Sequence, residues 1–156
     1  FVGFDREGVP RHANMRGTGS ESTFKGNADS SIPEYSFHWT GRSKYLLLFE
    51  APIDMLSFIS MHKKNWQQHS YAAACSVSDR VLFQMLKDNP NISEVFLCMD
   101  SDEPGQTAAK RISDKLFTQG INAKILVPEH KDWNEDLLAL NQEESEAEEP
   151  CQVLQL

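Results

Sequence analysis

Hydrophobic and polar positions divide the chain near residue 44. Beyond it, short continuous apolar runs alternate with segments of helical period. "KYLLLFE" is the first run, of strand length and apolar throughout, as expected of a strand covered on both faces. "PIDMLSFISMHKK" follows, with Pro52 near a helix start and Ile53, Leu56 and Ile59 at helical spacing. "YAAACSV" and "SEVFLCMD" read as the second and third strands. "SDRVLFQMLKDNP", with Ser78 as N-cap and a stop at Asn89-Pro90, reads as the helix between them. "GQTAAKRISDKLFTQG" is a third helix ended by Gly120, "NAKILVP" a fourth strand, and "DWNEDLLALN" a short last helix. Four β-α units in succession predict a parallel, Rossmann-like sheet of four strands with right-handed crossovers.

The first forty-odd residues have a different texture. "FVGFDREGVPRHANMRG" alternates around "DREG" and predicts a β-hairpin. "TGSESTFKGNADSSIPEYS" reads as loop, and "SFHWTG" as a short strand before a turn at Gly41. The expected organisation is an N-terminal β-rich extension over 1–43, an α/β domain over 44–140, and a flexible acidic tail over 141–156. The tail is expected to be flexible because it has too few apolar residues to pack.

Charge changes the picture only locally. The formal charge is −8, but "EESEAEEP" holds five glutamates, and the rest of the chain carries −3. Net charge therefore does not exclude a nucleic-acid partner. Arg6, Arg11, Arg16, Lys25, Arg42 and Lys44 roughly balance the acids of the N-terminal section. They read as a solvated hairpin, with phosphate-backbone contact as the alternative. Cys75, Cys98 and Cys151 match no zinc spacing, and the first two lie in apolar segments. Free thiols and the absence of an apolar run long enough to span a bilayer lead to an expected cytoplasmic setting without membrane contact. The sequence starts at Phe1, so other domains of a longer protein are expected beyond it.

Candidate chemistry lies at the strand ends. In an open parallel sheet, functional groups gather beyond the carboxyl ends of the strands. The first strand ends in Glu50, with Asp54 one helical turn later. The third ends in Asp100, with Asp102 two residues on, and the fourth is followed by "EHKDWNED", with Asp132, Asn134 and Asp136. Crowded carboxylates raise one another's pKa, and a hard divalent cation is the usual compensation. This pattern points to Mg²⁺, with Mn²⁺ as a substitute, beside a phosphate. Asp132 is either a further ligand or part of a helix-capping loop. Lys131 is the basic residue best placed for a phosphate, Lys110 follows the Asp pair, and Pro104-Gly105 turns the chain into a helix whose N-terminus favours an anion. His12, His38, His62, His69 and His130 show no metal-ligand spacing. Trp39, Trp66 and Trp133 are expected in packing rather than base stacking.

"LLLFEAPIDMLS" followed by "VFLCMDSDEPG" resembles the paired motifs of the Toprim domain. That domain is shared by bacterial-type primases, type IA and II topoisomerases, OLD-type nucleases and recombination-repair proteins. "HKDWNEDL" is similar to the Lys-Asp-x-Asn segment of primase-like members. The wording "EAPIDMLS" and the hairpin-rich start resemble Toprim-like proteins of bacterial mobile elements and plasmids that carry an uncharacterised segment upstream. The resemblance implies a Toprim fold. It also implies that Glu50 is the general acid/base, supported by Asp54, and that Asp100, Asp102 and Asp132 bind Mg²⁺ together with Glu50. DNA or RNA, with NTPs, is the implied substrate. A primase module in DNA replication, a nuclease, and a non-catalytic nucleic-acid or protein-binding module remain the three readings. The family often has glycine directly after the glutamate; here Ala51-Pro52 stands there, which narrows the site or marks a subfamily.

Overall fold

The computed structural model describes residues 1–18, 24–75 and 78–148. Its centre is a five-stranded sheet of order β4-β6-β5-β7-β8, built from β4 (His38–Trp39), β5 (Tyr45–Phe49), β6 (Ser70–Ala73), β7 (Glu94–Cys98) and β8 (Asn122–Ile125). The four expected strands pair in parallel, and β4 adds an antiparallel edge against β6. The helices are α1 (Pro52–Met61), α2 (Arg80–Asp88), α3 (Glu103–Thr118) and α4 (Trp133–Glu148). Among the described residues, no helix is long and apolar enough to cross a membrane.

The apolar runs are explained by the core they enter. Leu46, Leu48, Val95 and Leu97 point to one face, where they meet Val81, Leu82 and Met85 of α2 and Ala109, Ile112 and Leu116 of α3. Leu47, Phe49 and Cys98 point to the other, against Met55 and Phe58 of α1 and Trp133 of α4. A strand buried on both sides has no polar face to show, so its sequence reads as a block rather than an alternation.

The chain runs from β5 to β6 on one side, then crosses to β7 on the other. The order therefore reverses between β5 and β7, which opens a crevice at their carboxyl ends. Those ends are in step, with Phe49 beside Cys98. Glu50 and Asp100 follow within two residues on strands about 4.8 Å apart.

Several expectations change. The expected N-terminal hairpin is formed by β1 (Val2–Phe4) and β2 (Pro10–Arg16), and β3 (Lys25–Asn27) adds a third antiparallel strand beside β2. β3 lies in the stretch read as loop. It is an edge strand with no buried residue, so no apolar alternation announces it. Residues 19–23 of that stretch lie outside the described residues. Ser78 precedes the cap position of α2, which Asp79 occupies, and its Oγ accepts from the Arg80 N–H at 3.4 Å. The acidic stretch expected to be unstructured is helical as far as Glu148, where α4 ends. A lack of apolar residues rules out packing but not the extension of a helix already nucleated, and Glu, Gln and Ala extend helices well. Residues 149–156, including Cys151, lie outside the described residues.

The extension is tied to the main sheet. Ala73 donates to the Phe37 carbonyl at 2.9 Å, and Ser36 Oγ donates to the Ala73 carbonyl at 2.6 Å. Gly3 packs directly on the backbone of Tyr35 and Ser36, where a Cβ would meet Tyr35 O at 1.8 Å.

Gly105 in the first turn of α3 seats the helix on the end of β7. A Cβ there would stand 2.5 Å from the Asp100 carbonyl oxygen. Gly105→Ala is therefore expected to destabilise the fold by about 1–3 kcal/mol, the usual range for overpacking, and to shift the Asp100 backbone. Urea unfolding measures the first effect and amide chemical shifts of residues 99–102 the second. Wild-type stability with unmoved amides would show that this contact does not set the position of Asp100.

Candidate metal and phosphate site

Asp100 leaves β7 half-buried. Its carbonyl accepts from Gln106 Nε2 at 2.8 Å, while its Oδ1 is buried without a hydrogen-bond partner. Across the crevice, Glu50 Oε2 is in the same condition. Buried carboxylate oxygens without donors are costly, since each loses its water with nothing in exchange. Asp54, 5 % exposed in the first turn of α1, completes the inner group. It accepts from the Asn134 backbone N–H at the start of α4.

Each of these acids holds its proton unusually well. Desolvation, followed by the negative charges of Asp100, Asp102 and Asp54, pushes Glu50 up to about 7. Asp54 rises to about 7 through burial, then Asp100 and Asp132. Asp100 rises to about 6 through burial, then Asp132 and Asp102. Mutual repulsion of this kind requires proximity. The structure thus brings Glu50, Asp54, Asp100, Asp102 and Asp132 into one electrostatic neighbourhood.

The outer acids also have local work. Asp102 caps α3, its Oδ1 accepting from the Gly105 N–H at 2.9 Å. Asp132 Oδ1 accepts from the Glu135 N–H at 2.8 Å and caps α4 in the same way. Asp136 stands apart: its two oxygens accept from the backbone N–H groups of Glu129 and His130, and Oδ1 also lies 2.8 Å from His130 Nδ1. It organises the loop before α4.

Lys131 is exposed and close enough to Asp100 to favour its ionised form. The Lys131 carbonyl accepts from the Ser101 N–H and Oγ, which joins the two acidic loops. Lys110 is exposed, seven residues into α3 and about 10 Å along the axis from Glu103. Trp133 is core, as expected; its Nε1 donates to the Cys98 carbonyl at 2.9 Å and pins α4 to the end of β7. Ala51 has extended backbone at φ −130°, a conformation that does not require glycine.

Among the described residues, no three acids, histidines or cysteines form a finished metal cage. The donors nonetheless fit a hard cation. They are all carboxylates, and two of their oxygens are buried with no other partner.

Two cations that the sequence placed only in a solvated hairpin, with phosphate contact as the alternative, act on these acids. Lys25 of β3 acts on Glu50 and Asp100, and Arg16 of β2 acts on Asp54, each favouring the ionised acid. With Lys25 read as loop, nothing in the sequence aligned these cations with the acids.

Comparison with known proteins agrees with this geometry. Solved structures similar in fold include the primase fragment of the bacteriophage T7 primase-helicase protein, at 17 % identity and a TM-score of 0.67 over 94 % of this chain and 60 % of that one. Another is a complex of T7 lagging-strand DNA polymerase with primase domains bound to an RNA/DNA hybrid and dTTP, at 17 % identity and 0.64, covering 94 % and 73 %. The Aquifex aeolicus primase, comprising zinc-binding and RNA polymerase domains, matches at 16 % identity and 0.61, covering 94 % and 38 %. The chain thus spans about 60 % of the first of these and little more than a third of the last. No curated protein matches it in sequence. Residues 1–43 match a family described as a protein of unknown function, DUF3991, which here supplies β4 to the main sheet. Residues 47–137, holding both strand-end motifs, match the family described as Toprim-like, and the chain belongs to that family.

Proposed function

We propose that this chain is a Mg²⁺-dependent phosphoryl-transfer domain acting on nucleic acid, with primase-like nucleotidyl transfer as its reaction. The observation that carries the reading is the pair of buried, unpartnered oxygens, Glu50 Oε2 and Asp100 Oδ1, on residues that follow adjacent strands at the strand-order reversal. The fold-level likeness to primases supports the class of substrate, although fold alone does not assign an activity.

Glu50, Asp100 and Asp102 would hold the cation, with Asp132 at the rim. Bound there, Mg²⁺ would neutralise charge on a phosphate's oxygens and orient them. Glu50 has the property required of a general acid/base. Burial and the neighbouring acids raise its pKa to about 7 in the metal-free chain, and in the reaction it would take a proton from an attacking hydroxyl or return one to a leaving oxygen. Asp54 accepts the Asn134 N–H and fixes α1 against the start of α4, which holds Glu50 and Asp132 in register. Lys131 stands at the outer rim, where a phosphate leaving the crevice would meet it.

Three outcomes test this reading. Asp100→Asn with Asp102→Asn is expected to abolish calorimetric Mg²⁺ or Mn²⁺ binding, and unchanged binding would refute the site assignment. Supplied with NTPs and a single-stranded template, the chain is expected to form oligonucleotide product, and Glu50→Gln to lower the rate about 10²- to 10⁴-fold. Plasmid nicking without synthesis would replace the primase reading with the nuclease one.

The third outcome concerns pH. Glu50, Asp54 and Asp100 titrate near 4 when unfolded and near 6 to 7 when folded. Between those values the folded chain holds more protons than the unfolded one, so stability falls as pH rises. In a chelator, the melting temperature is expected to drop from about pH 5 to about pH 7.5, and added Mg²⁺ to raise it more at the higher pH. A melting temperature that climbs over this range without metal would show that the acids are not crowded in solution.

A further inference from the structure

β2 and β3 place like charges side by side. Their register sets Arg16 directly opposite Lys25 and Asn14 opposite Asn27, with Met15 facing Gly26 between them. Side chains two residues apart share a face, so Asn14, Arg16, Lys25 and Asn27 form a two-by-two tile on one side of the ribbon. Two cations directly opposite each other destabilise a strand pair. Three other cations of this region are partnered: Arg11 with Asp5 at 2.6 Å, Arg6 with Asp88 at 3.5 Å, and Lys44 with Glu94. Among the described residues, Arg16 and Lys25 make no hydrogen bond or ion pair. The negative charges acting with them are those of the crevice.

The tile's four residues, with Met15 and Gly26 between them, line one cavity of about 210 Å³ together with Glu50 and the first turn of α1 at Pro52 and Ile53. That turn has no side-chain cap, so its N–H groups add to the attraction for an anion. The cavity is smaller than the ~300 Å³ at which pockets begin to accept drug-sized ligands. It suits a phosphate with its flanking atoms rather than a whole nucleotide.

We propose that the N-terminal segment completes the reaction site, with Arg16 and Lys25, flanked by Asn14 and Asn27, holding a substrate phosphate against the Glu50 wall of the crevice. The inference rests on the phosphoryl-transfer reading and extends it to a segment of undescribed role. The like-charge pair costs stability when the site is empty, and a phosphate bridging the two strands removes that cost. The phosphate belongs either to a nucleic-acid backbone or to a nucleoside triphosphate, and the two are separable.

The test uses the whole chain and the variant Arg16→Gln with Lys25→Gln, probed with a labelled single-stranded oligonucleotide by anisotropy and with ATP by calorimetry. If the tile holds backbone, oligonucleotide affinity is expected to fall roughly tenfold near 0.1 M salt. The slope of log affinity against log salt should flatten by about 0.7, as for one lost phosphate contact on a single strand. A loss confined to ATP would assign the tile to the triphosphate instead. In either case Arg16→Lys with Lys25→Arg should retain binding, because it keeps both charges in place. Wild-type affinity for both ligands in the glutamine variant would overturn the inference, as would a fall in melting temperature with binding lost in the conservative variant too. Mg²⁺ binding by the glutamine variant should match or exceed wild type, since two repelling cations are gone. The separate loss of metal in Asp100→Asn with Asp102→Asn therefore reports on the acidic site alone.

Discussion

Two carboxylates are forced out of water at the ends of adjacent parallel strands, and much of the architecture is arranged around keeping them there. β5 and β7 lie at the middle of the sheet with helices on both faces, so neither strand end can tilt away to relieve the repulsion. Gly105 lets α3 start directly on the Asp100 backbone, and Trp133 bolts α4 to the Cys98 carbonyl just before it. The Asp54–Asn134 contact closes the ring by joining α1 to α4. A rigid frame that concentrates unpaired negative charge is unfavourable by itself and becomes favourable when a cation binds.

Asp102 and Asp132 join a local and a long-range role. Each begins a helix by accepting an N–H three residues ahead, and each sends its charge into the crevice. Helix capping leaves the rest of a carboxylate available, and it fixes the direction from which that carboxylate approaches. The outer acids are thus set by the helices they start, while Glu50 and Asp100 are set by the strands they end. The N-terminal segment meets this assembly twice: through β4, which extends the main sheet, and through the β2–β3 ribbon, which brings positive charge to the acidic rim.

Legibility differed from element to element for physical reasons. "KYLLLFE" and "SEVFLCMD" were readable because strands buried on both faces carry unbroken apolar runs. β3 was not readable, because its three residues, Lys25 to Asn27, bury nothing and pair through backbone alone. Residues 141–146 are exposed, in keeping with their few apolar side chains, but that composition says nothing about a helix already anchored at Trp133.

By itself, the sequence determined the order of strands and helices and the residue types at their ends. From these it determined the two motifs that mark the Toprim-like family, since apolar blocks, caps and strand-end acids are local patterns. Only the tertiary structure decided which acids share a field, that Asp136 serves its own loop, that β4 closes the sheet edge, and that Arg16 and Lys25 line one cavity with Glu50. Those facts depend on register and on packing between distant segments, and electrostatic energy depends on separation in space rather than along the chain.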